Sequence, residues 1–172
     1  MHFFGGFISA SNRIWKLAAA AGLALGIAAT GLSAAEKNAH SHEHGAAPAK
    51  LTLNEGKKWP TDAPLRQGME NIRKHMEASL HDIHEGKLSA AKYGELAKKV
   101  NGEVGGIVAN CKLEPKADAQ LHLVIADIGE GVEAMEGKAK KVKRQAGAVK
   151  VIGALEKYGA HFEHPGWQSS SH

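Results

Sequence analysis

The sequence contains a single cysteine, Cys111, so no disulfide bond within the chain can stabilise the fold. Aromatic residues make up only 5% of the chain, and segments with a strict apolar-polar alternation are absent, which argues against extended β structure. A nucleophile elbow, paired catalytic carboxylates, a phosphate-binding loop and a zincin motif are also missing. We therefore expect an all-α protein that is not an enzyme.

The chain also lacks an apolar run long enough to cross a membrane. The longest run, Leu17 to Leu32, has 16 residues, whereas a helix needs roughly 20 to span a bilayer core. Arg13 and Lys16 precede this run, and Ser33-Ala34-Ala35 follows it with the small residues that signal peptidase requires. The pattern predicts a secretory signal peptide over residues 1–35, export to a bacterial periplasm, and no stable membrane insertion after cleavage.

The chain has only a small net positive charge. Removal of residues 1–35 takes away Arg13 and Lys16 but none of the 18 acidic residues, so the formal net charge falls from +4 to +2. This charge gives no indication of nucleic acid as a partner. The remaining 137 residues are enough for one compact domain. A lone thiol in an oxidising compartment is explained by burial, by pairing between two copies in a homodimer, or by metal ligation.

Histidine, in contrast, is abundant, with 11 residues. His40, His42 and His44 alternate in a polar stretch rich in Ala and Lys that has no sustained period. Alternating imidazoles chelate Cu(II), Ni(II), Co(II) or Zn(II), and the metal that is bound depends on supply. We therefore expect residues 36–60 to form a flexible tail with a secondary metal site, and residues 168–172 to form a disordered C-terminus.

Apolar residues at steps of three and four predict four amphipathic helices. Their predicted bounds follow from capping residues, prolines and glycines: Asp62 to Gly86, Ser89 to Cys111, Pro115 to Gly137, and about Lys138 to Phe162. In the fourth helix the inward stripe includes Val142 and Val149. The short connections favour antiparallel neighbours, so we predict an up-down-up-down four-helix bundle over residues 61–167.

This topology predicts a metal site at one end of the bundle, where helices one and three begin and helices two and four end. Five side chains with soft or imidazole donors gather toward that end: Met69, Cys111, His122, His161 and His164. Thioether, thiolate and imidazole together suit copper, particularly Cu(I), better than they suit hard cations. The sequence therefore predicts a copper site formed by these five residues.

Each of these residues also has an interpretation without a metal. Met69 and Cys111 lie on apolar stripes, where both residue types commonly pack as core side chains. His122 can pair with Asp118 one turn earlier on the same helix. His161 and His164 lie near the C-terminal end of the fourth helix. A protonated histidine is stabilised there by the partial negative charge of the helix dipole.

The first predicted helix opens with the sequence Leu65-Arg-Gln-Gly-Met69-Glu-Asn-Ile72. This opening, in the first of four exported antiparallel helices, resembles the cytochrome b562 and cytochrome c′ superfamily over residues 62–164. The resemblance implies a b-type haem with Met69 as one axial ligand and His161 or His164 as the other. The motif Cys-x-x-Cys-His is absent, which excludes covalently attached haem.

The chain also resembles small exported helical proteins of bacterial metal-resistance systems, through its signal peptide, its histidine-rich tail and its bundle. From these observations we expect a periplasmic metal-binding protein, with copper favoured, that acts in sequestration or resistance. A b-type haem electron carrier is the alternative. A structural or interaction protein whose histidines are incidental is the third interpretation.

Overall fold

Five α-helices make up most of the computed structural model, which describes residues 50–168. They are α1 (Ala63–Glu77), α2 (Leu80–His84), α3 (Ala90–Asn110), α4 (Pro115–Glu136) and α5 (Arg144–His161). Residue pairs Asn54–Lys57 and Trp59–Phe162 form isolated β-bridges, and the described residues contain no β-strand. The predicted all-α class is thus confirmed. The predicted signal peptide, His40, His42 and His44, and residues 169–172 lie outside the described residues.

Local capping explains where the helices begin and end. The Asp62 carboxylate accepts a hydrogen bond from the backbone N–H of Leu65 at 2.9 Å and so caps α1. Pro115 is the first residue of α4, where a missing N–H costs nothing. Gly137 ends α4 with φ of 79°, a left-handed conformation that glycine adopts without strain. Between residues 50 and 168, no helix combines the length and apolarity required to span a membrane.

The first predicted helix, expected to continue to Gly86, is divided into two. The backbone N–H of Ser79 bonds to the Met76 carbonyl at 3.1 Å, a step of three residues rather than four, and the chain then restarts as α2. Despite this break, the positions of this helix that were predicted to face inward lie in the hydrophobic core or pack against it. Five of them have no solvent exposure: Leu65, Met69, Ile72, Met76 and Ile83.

The predicted start of the fourth helix at Lys138 is wrong. Helix α5 begins at Arg144, whose guanidinium donates a hydrogen bond to the Met135 carbonyl at the end of α4. Val142 and Val149, predicted to face inward, are 46% and 49% exposed. The reason is that Gly147 and Ala148, rather than Val149, are buried in this turn of α5, where Gly147 lies directly against α4. The buried face then continues through Val151, Ile152 and Leu155.

Residues 50–60 are not part of a flexible tail, in contrast to the prediction. Trp59 is only 8% exposed, and its indole N–H donates to the Thr52 carbonyl at 2.6 Å. The backbone of Trp59 also donates to the His161 carbonyl and accepts from the Glu163 N–H, both at 2.8 Å. These bonds fix the segment against the end of α5, so the ordered part of the chain begins before residue 60.

The described residues form one compact unit with a single hydrophobic core. Helices α4 and α5 have the most extensive contact, followed by α1 with α3 and α3 with α4, whereas α1 and α5 touch only sparsely. Two glycines explain the close contact of α4 with α5. A Cβ at Gly147 would lie 2.5 Å from the Gly131 carbonyl oxygen, and one at Gly131 would lie 2.7 Å from the Gly147 carbonyl oxygen. Any larger residue would push the two helices apart.

Candidate functional site

Backbone and side-chain hydrogen bonds join three parts of the chain that carry predicted ligands. The second carboxylate oxygen of Asp62 accepts from the Lys112 N–H at 2.6 Å, which joins the start of α1 to the residue after Cys111. The Thr61 hydroxyl donates to the Glu163 carbonyl at 2.5 Å, beside His164. The start of α1 is therefore bonded both to the link after α3 and to the segment after α5.

Met69 is buried in the hydrophobic core with no solvent exposure. Its thioether lies on the same helix face as Leu65 and Ile72, which are equally buried. A core position of this kind fits the interpretation as a packing residue, because unbranched methionine fills irregular space between helices. An ion that reached this sulfur would have to enter the core.

Cys111 caps the C-terminal end of α3 and is partly buried. Burial raises the pKa of its thiol, and the negative charges of Asp62 and Asp118 raise it further. The side chain is therefore a thiol rather than a thiolate at neutral pH. Because thiolate is the form that binds metals, an ion bound here would have to displace the proton.

His122 and His161 share one arrangement on two different helices. The Nδ1 atom of His122 lies 2.9 Å from the Asp118 carbonyl oxygen, and that of His161 lies 2.8 Å from the Lys157 carbonyl oxygen. A carbonyl oxygen only accepts hydrogen bonds, so each ring donates from Nδ1 and, when neutral, keeps its lone pair on Nε2. His122 is 63% exposed and also lies 3.4 Å from the Asp118 carboxylate.

His164 has a different environment, on the side of the molecule where α1 lies. Its Nδ1 is 3.0 Å from the Tyr158 hydroxyl, and its ring lies 5.0 Å from that of Trp167 between centroids. Burial lowers the pKa of His164; nearby Glu70 opposes this shift, whereas two arginines of α1 add to it. The imidazole is therefore favoured in its neutral form, which is also the form that binds metals.

The predicted ligands thus lie on segments that meet, but each imidazole has its own partner. Among residues 50–168, no group of three or more His, Cys, Asp and Glu side chains is placed to hold a metal ion. The five-residue copper site stays a prediction.

An ionic and aromatic cluster around Arg73 was missed by the sequence reasoning. The Arg73 guanidinium, 13% exposed, pairs with Glu70 at 2.7 Å and with Glu77, and it lies 5.9 Å from the centre of the Trp167 ring. The hydrogen bond from Arg73 lowers the pKa of Glu70. The spacing of Glu70, Arg73 and Glu77 is a sequence signal for such ion pairs, but the contact with Trp167 is not local and has no such signal.

A groove between α4 and α5, which we call the α4–α5 groove, has a volume of about 660 Å³. Nine residues line it: Lys50, Leu51, Leu123, Val124, Ala126, Asp127, Glu130, Lys157 and His161. Asp127 pairs with Lys157 at 2.6 Å and with Lys150 at 3.4 Å, and the bond from Lys157 lowers the pKa of this carboxyl group. The groove therefore combines an apolar wall, a neutralised acid and one imidazole.

In comparisons with known proteins, no family model matched the sequence, and neither a curated protein nor a solved structure matched it. The resemblance to the cytochrome b562 and cytochrome c′ superfamily, and that to exported metal-resistance proteins, therefore rest on the residues given above.

Proposed function

We propose that this protein is an exported metal-binding protein of the periplasm, with copper as the favoured metal, that acts in metal sequestration or resistance. The observation that carries the proposal is the alternation of His40, His42 and His44 directly after the predicted signal peptide. Imidazoles at this spacing chelate divalent late transition metals, and copper forms the strongest complexes among them. The role is one of binding, without a catalysed reaction.

The helical domain is proposed to be an up-down-up-down four-helix bundle of α1, α3, α4 and α5, with α2 as a short addition to α1. The contacts of α1 with α3, α3 with α4 and α4 with α5 support this order. So do the hydrogen bonds that join the start of α1 to the link after α3 and to the end of α5. In this proposal the bundle is the folded part of the protein, and the segment before residue 50 contains the metal-binding histidines.

Deletion of residues 36–49 is expected to reduce the number of Cu(II) ions bound per protein while leaving the metal-free domain as stable as before. The deletion ends before Lys50, so the contacts of residues 50–60 with α5 remain. The thermal midpoint of the metal-free protein should change by no more than about a degree or two, as expected for a terminus outside the core. Metal analysis after dialysis and calorimetry measure the two quantities.

A matched control replaces only His40, His42 and His44 with Gln and keeps the length of the segment. It should lose the same number of ions as the deletion. Unfolding of the deleted protein would instead show that residues 36–49 stabilise the domain, and an unchanged metal content in both variants would contradict the proposed function of this segment.

The soft site predicted from Met69, Cys111 and His122, with His161 or His164 as a further ligand, is proposed as a second, Cu(I)-selective site. Met69→Leu tests it. Leucine nearly preserves the volume of this buried side chain, so the metal-free protein should lose less than about 1.5 kcal/mol of unfolding free energy. Loss of the thioether should weaken Cu(I) binding at least about tenfold, measured by competition with a Cu(I) chelator under reducing conditions.

Met76→Leu is the matched control, because Met76 is equally buried on α1 but is not one of the predicted ligands. It should leave Cu(I) affinity unchanged, whereas Cys111→Ser and His122→Gln should weaken it as Met69→Leu does. Wild-type Cu(I) affinity in the Met69, Cys111 and His122 variants would mean that these side chains only pack or pair with their neighbours.

A b-type haem electron carrier is the second candidate function, and the position of His164 is the observation that supports it. His164 lies close enough to Glu70 on α1 for its charge to affect the imidazole, and Met69 is the preceding residue on that helix. His161, in contrast, lines the α4–α5 groove. Met69 and either His161 or His164 stay the proposed axial ligands, and His164 is the one near α1. A Soret band in the purified protein would favour haem over copper.

A further inference from the structure

We infer that the loop between α4 and α5 binds the surface of an anionic phospholipid membrane. This loop, which we call the basic loop, covers residues 137–143, and lysine occupies four of its seven positions: Lys138, Lys140, Lys141 and Lys143. The contact holds the helical domain at the lipid headgroups without the insertion of a helix. This inference goes beyond the proposed function and does not depend on metal binding.

The basic loop is a turn at the end of two packed helices. Helix α4 ends at Glu136, and α5 begins at Arg144. The Arg144 guanidinium donates a hydrogen bond to the Met135 carbonyl and lies against Gly137, so the loop leaves and rejoins the domain at neighbouring points. The Arg144 side chain is therefore engaged in holding the loop, and the lysines are the groups that can contact a partner.

Three of the four lysines carry a charge that the domain does not neutralise. The Lys138 ammonium pairs with Glu136 at 2.7 Å. The others, Lys140, Lys141 and Lys143, are exposed and have no ion pair with any of residues 50–168. A lysine near an anionic membrane surface strengthens binding by about fivefold, so three of them together strengthen it by about 100-fold.

An apolar side chain lies among these lysines. Val142 is 46% exposed and has a lysine on each side in the sequence. Segments that bind at a lipid surface combine basic residues with apolar side chains, which enter the boundary between headgroups and acyl chains. An acidic protein surface supplies negative charge but not this apolar boundary. The exposed valine therefore favours a membrane over an acidic protein as the partner.

The backbone of Lys141 has φ of 62°, a left-handed conformation that glycine adopts without strain and lysine does not. This position therefore separates the charge from the fold. Lys141→Gly should leave the domain at least as stable as the wild type, because it relieves the strain. The same change should weaken binding to anionic vesicles by about fivefold, because one charge is lost.

Three lysines elsewhere on the domain provide a matched control. Lys57, Lys112 and Lys116 are also exposed and have no ion pair within the described part of the chain. Lys112 and Lys116 line a pocket beside the start of α4, and the backbone of Lys57 is bonded to Asn54 in the same pocket. The 22 residues of α4 place this pocket about 30 Å from the basic loop.

The test is cosedimentation of the metal-free protein with vesicles near pH 7.5, where most histidines are neutral. One set contains phosphatidylcholine with about one-third phosphatidylglycerol. The other contains phosphatidylcholine alone and measures binding that does not depend on lipid charge. Replacement of Lys140, Lys141 and Lys143 with Gln should weaken binding to the charged vesicles by about 30- to 100-fold. The same replacement of Lys57, Lys112 and Lys116 should weaken it by less than about threefold, because those charges lie several Debye lengths away.

Val142→Ser keeps every charge and tests the apolar contact. It should weaken binding to the charged vesicles by at least about threefold, because an apolar side chain no longer leaves water. An unchanged affinity in this variant would mean that the loop recognises negative charge alone, and a membrane would be the wrong partner.

Two further outcomes would overturn the inference. Equal losses in the two triple-lysine variants would show that vesicle binding follows net charge and that the basic loop has no special role. Wild-type protein that binds charged vesicles no better than neutral ones would show that the loop does not bind lipid. The vesicle measurements are made without metal, so the proposed function stands or falls separately on the metal titrations.

Discussion

Gly147→Val is expected to lower the free energy of unfolding by at least about 2–3 kcal/mol. The hydrogen of Gly147 faces the backbone of α4, where a Cβ would lie 2.5 Å from the Gly131 carbonyl oxygen and 2.8 Å from the Met135 nitrogen. Backbone atoms cannot move aside as a flexible side chain can, so the two helices must separate and lose buried contacts. Urea unfolding, followed by circular dichroism, measures the change.

Gly105→Ala is the control for the general effect of replacing a helical glycine. Gly105 lies within α3, and nothing is within 4 Å of the place where its Cβ would be. Alanine should therefore raise the free energy of unfolding by about 0.5–1 kcal/mol through its higher helix propensity. A Gly147→Val protein as stable as the wild type would show that α4 and α5 do not approach each other at this point.

Asp62→Ala should cost about 2.5–4 kcal/mol of unfolding free energy, because one carboxylate makes two structural hydrogen bonds. Loss of the cap on Leu65 accounts for about 1 kcal/mol. Loss of the bond from the Lys112 N–H, at 2.6 Å, adds about 1.5–3 kcal/mol, the range for a hydrogen bond to a charged group. Thermal and denaturant unfolding both measure this effect.

Asp62→Asn separates the two bonds and tests the electrostatic effect on Cys111. Asparagine has one acceptor oxygen, so it can keep the cap but not both bonds, and its stability should fall between those of wild type and Asp62→Ala. The pKa of Cys111 should fall toward its ordinary value, since the Asp62 charge is one cause of its increase. Alkylation rates measured against pH report this pKa, and an unchanged profile would mean that the Asp62 charge does not contribute to it.

Much of the fold could be predicted from the sequence because helices follow local rules. The steps of three and four correctly identified the buried residues of α1 and α4, and the caps at Asp62, Ser89 and Gly137 correctly identified where helices begin or end. These signals depend on side chains within one or two turns. They therefore do not need the rest of the chain to be known.

The errors arose where the fold depends on contacts between distant residues. The face of α5 that contacts α4 includes Gly147, which is buried because it has no side chain, whereas the apolar pattern selected Val149, which is half exposed. Residues 50–60 have no period because they are held by hydrogen bonds to the end of α5. Neither feature has a local signal that could have been found.

The candidate site was predictable only in part, for the same reason. The sequence could assign Met69 and His122 to helices, but the direction of a side chain depends on the exact rotation of each helix in the core. Met69 is completely buried, whereas the side chain of His122 is 63% exposed. Lys50 and His161 line the same groove although they are far apart in the sequence. No spacing in the sequence predicts this.

The bonds between the segment before α1 and the segment after α5 also determine the order in which the domain can form. The bond from Thr61 to Glu163 joins residues 102 positions apart, and Trp59 is bonded to His161 and Glu163 in the same way. Closing so long a loop costs conformational entropy, and the contacts that offset this cost form only when the segment after α5 is present. The end of the domain beside His161 can therefore close only when the residues around Glu163 are present.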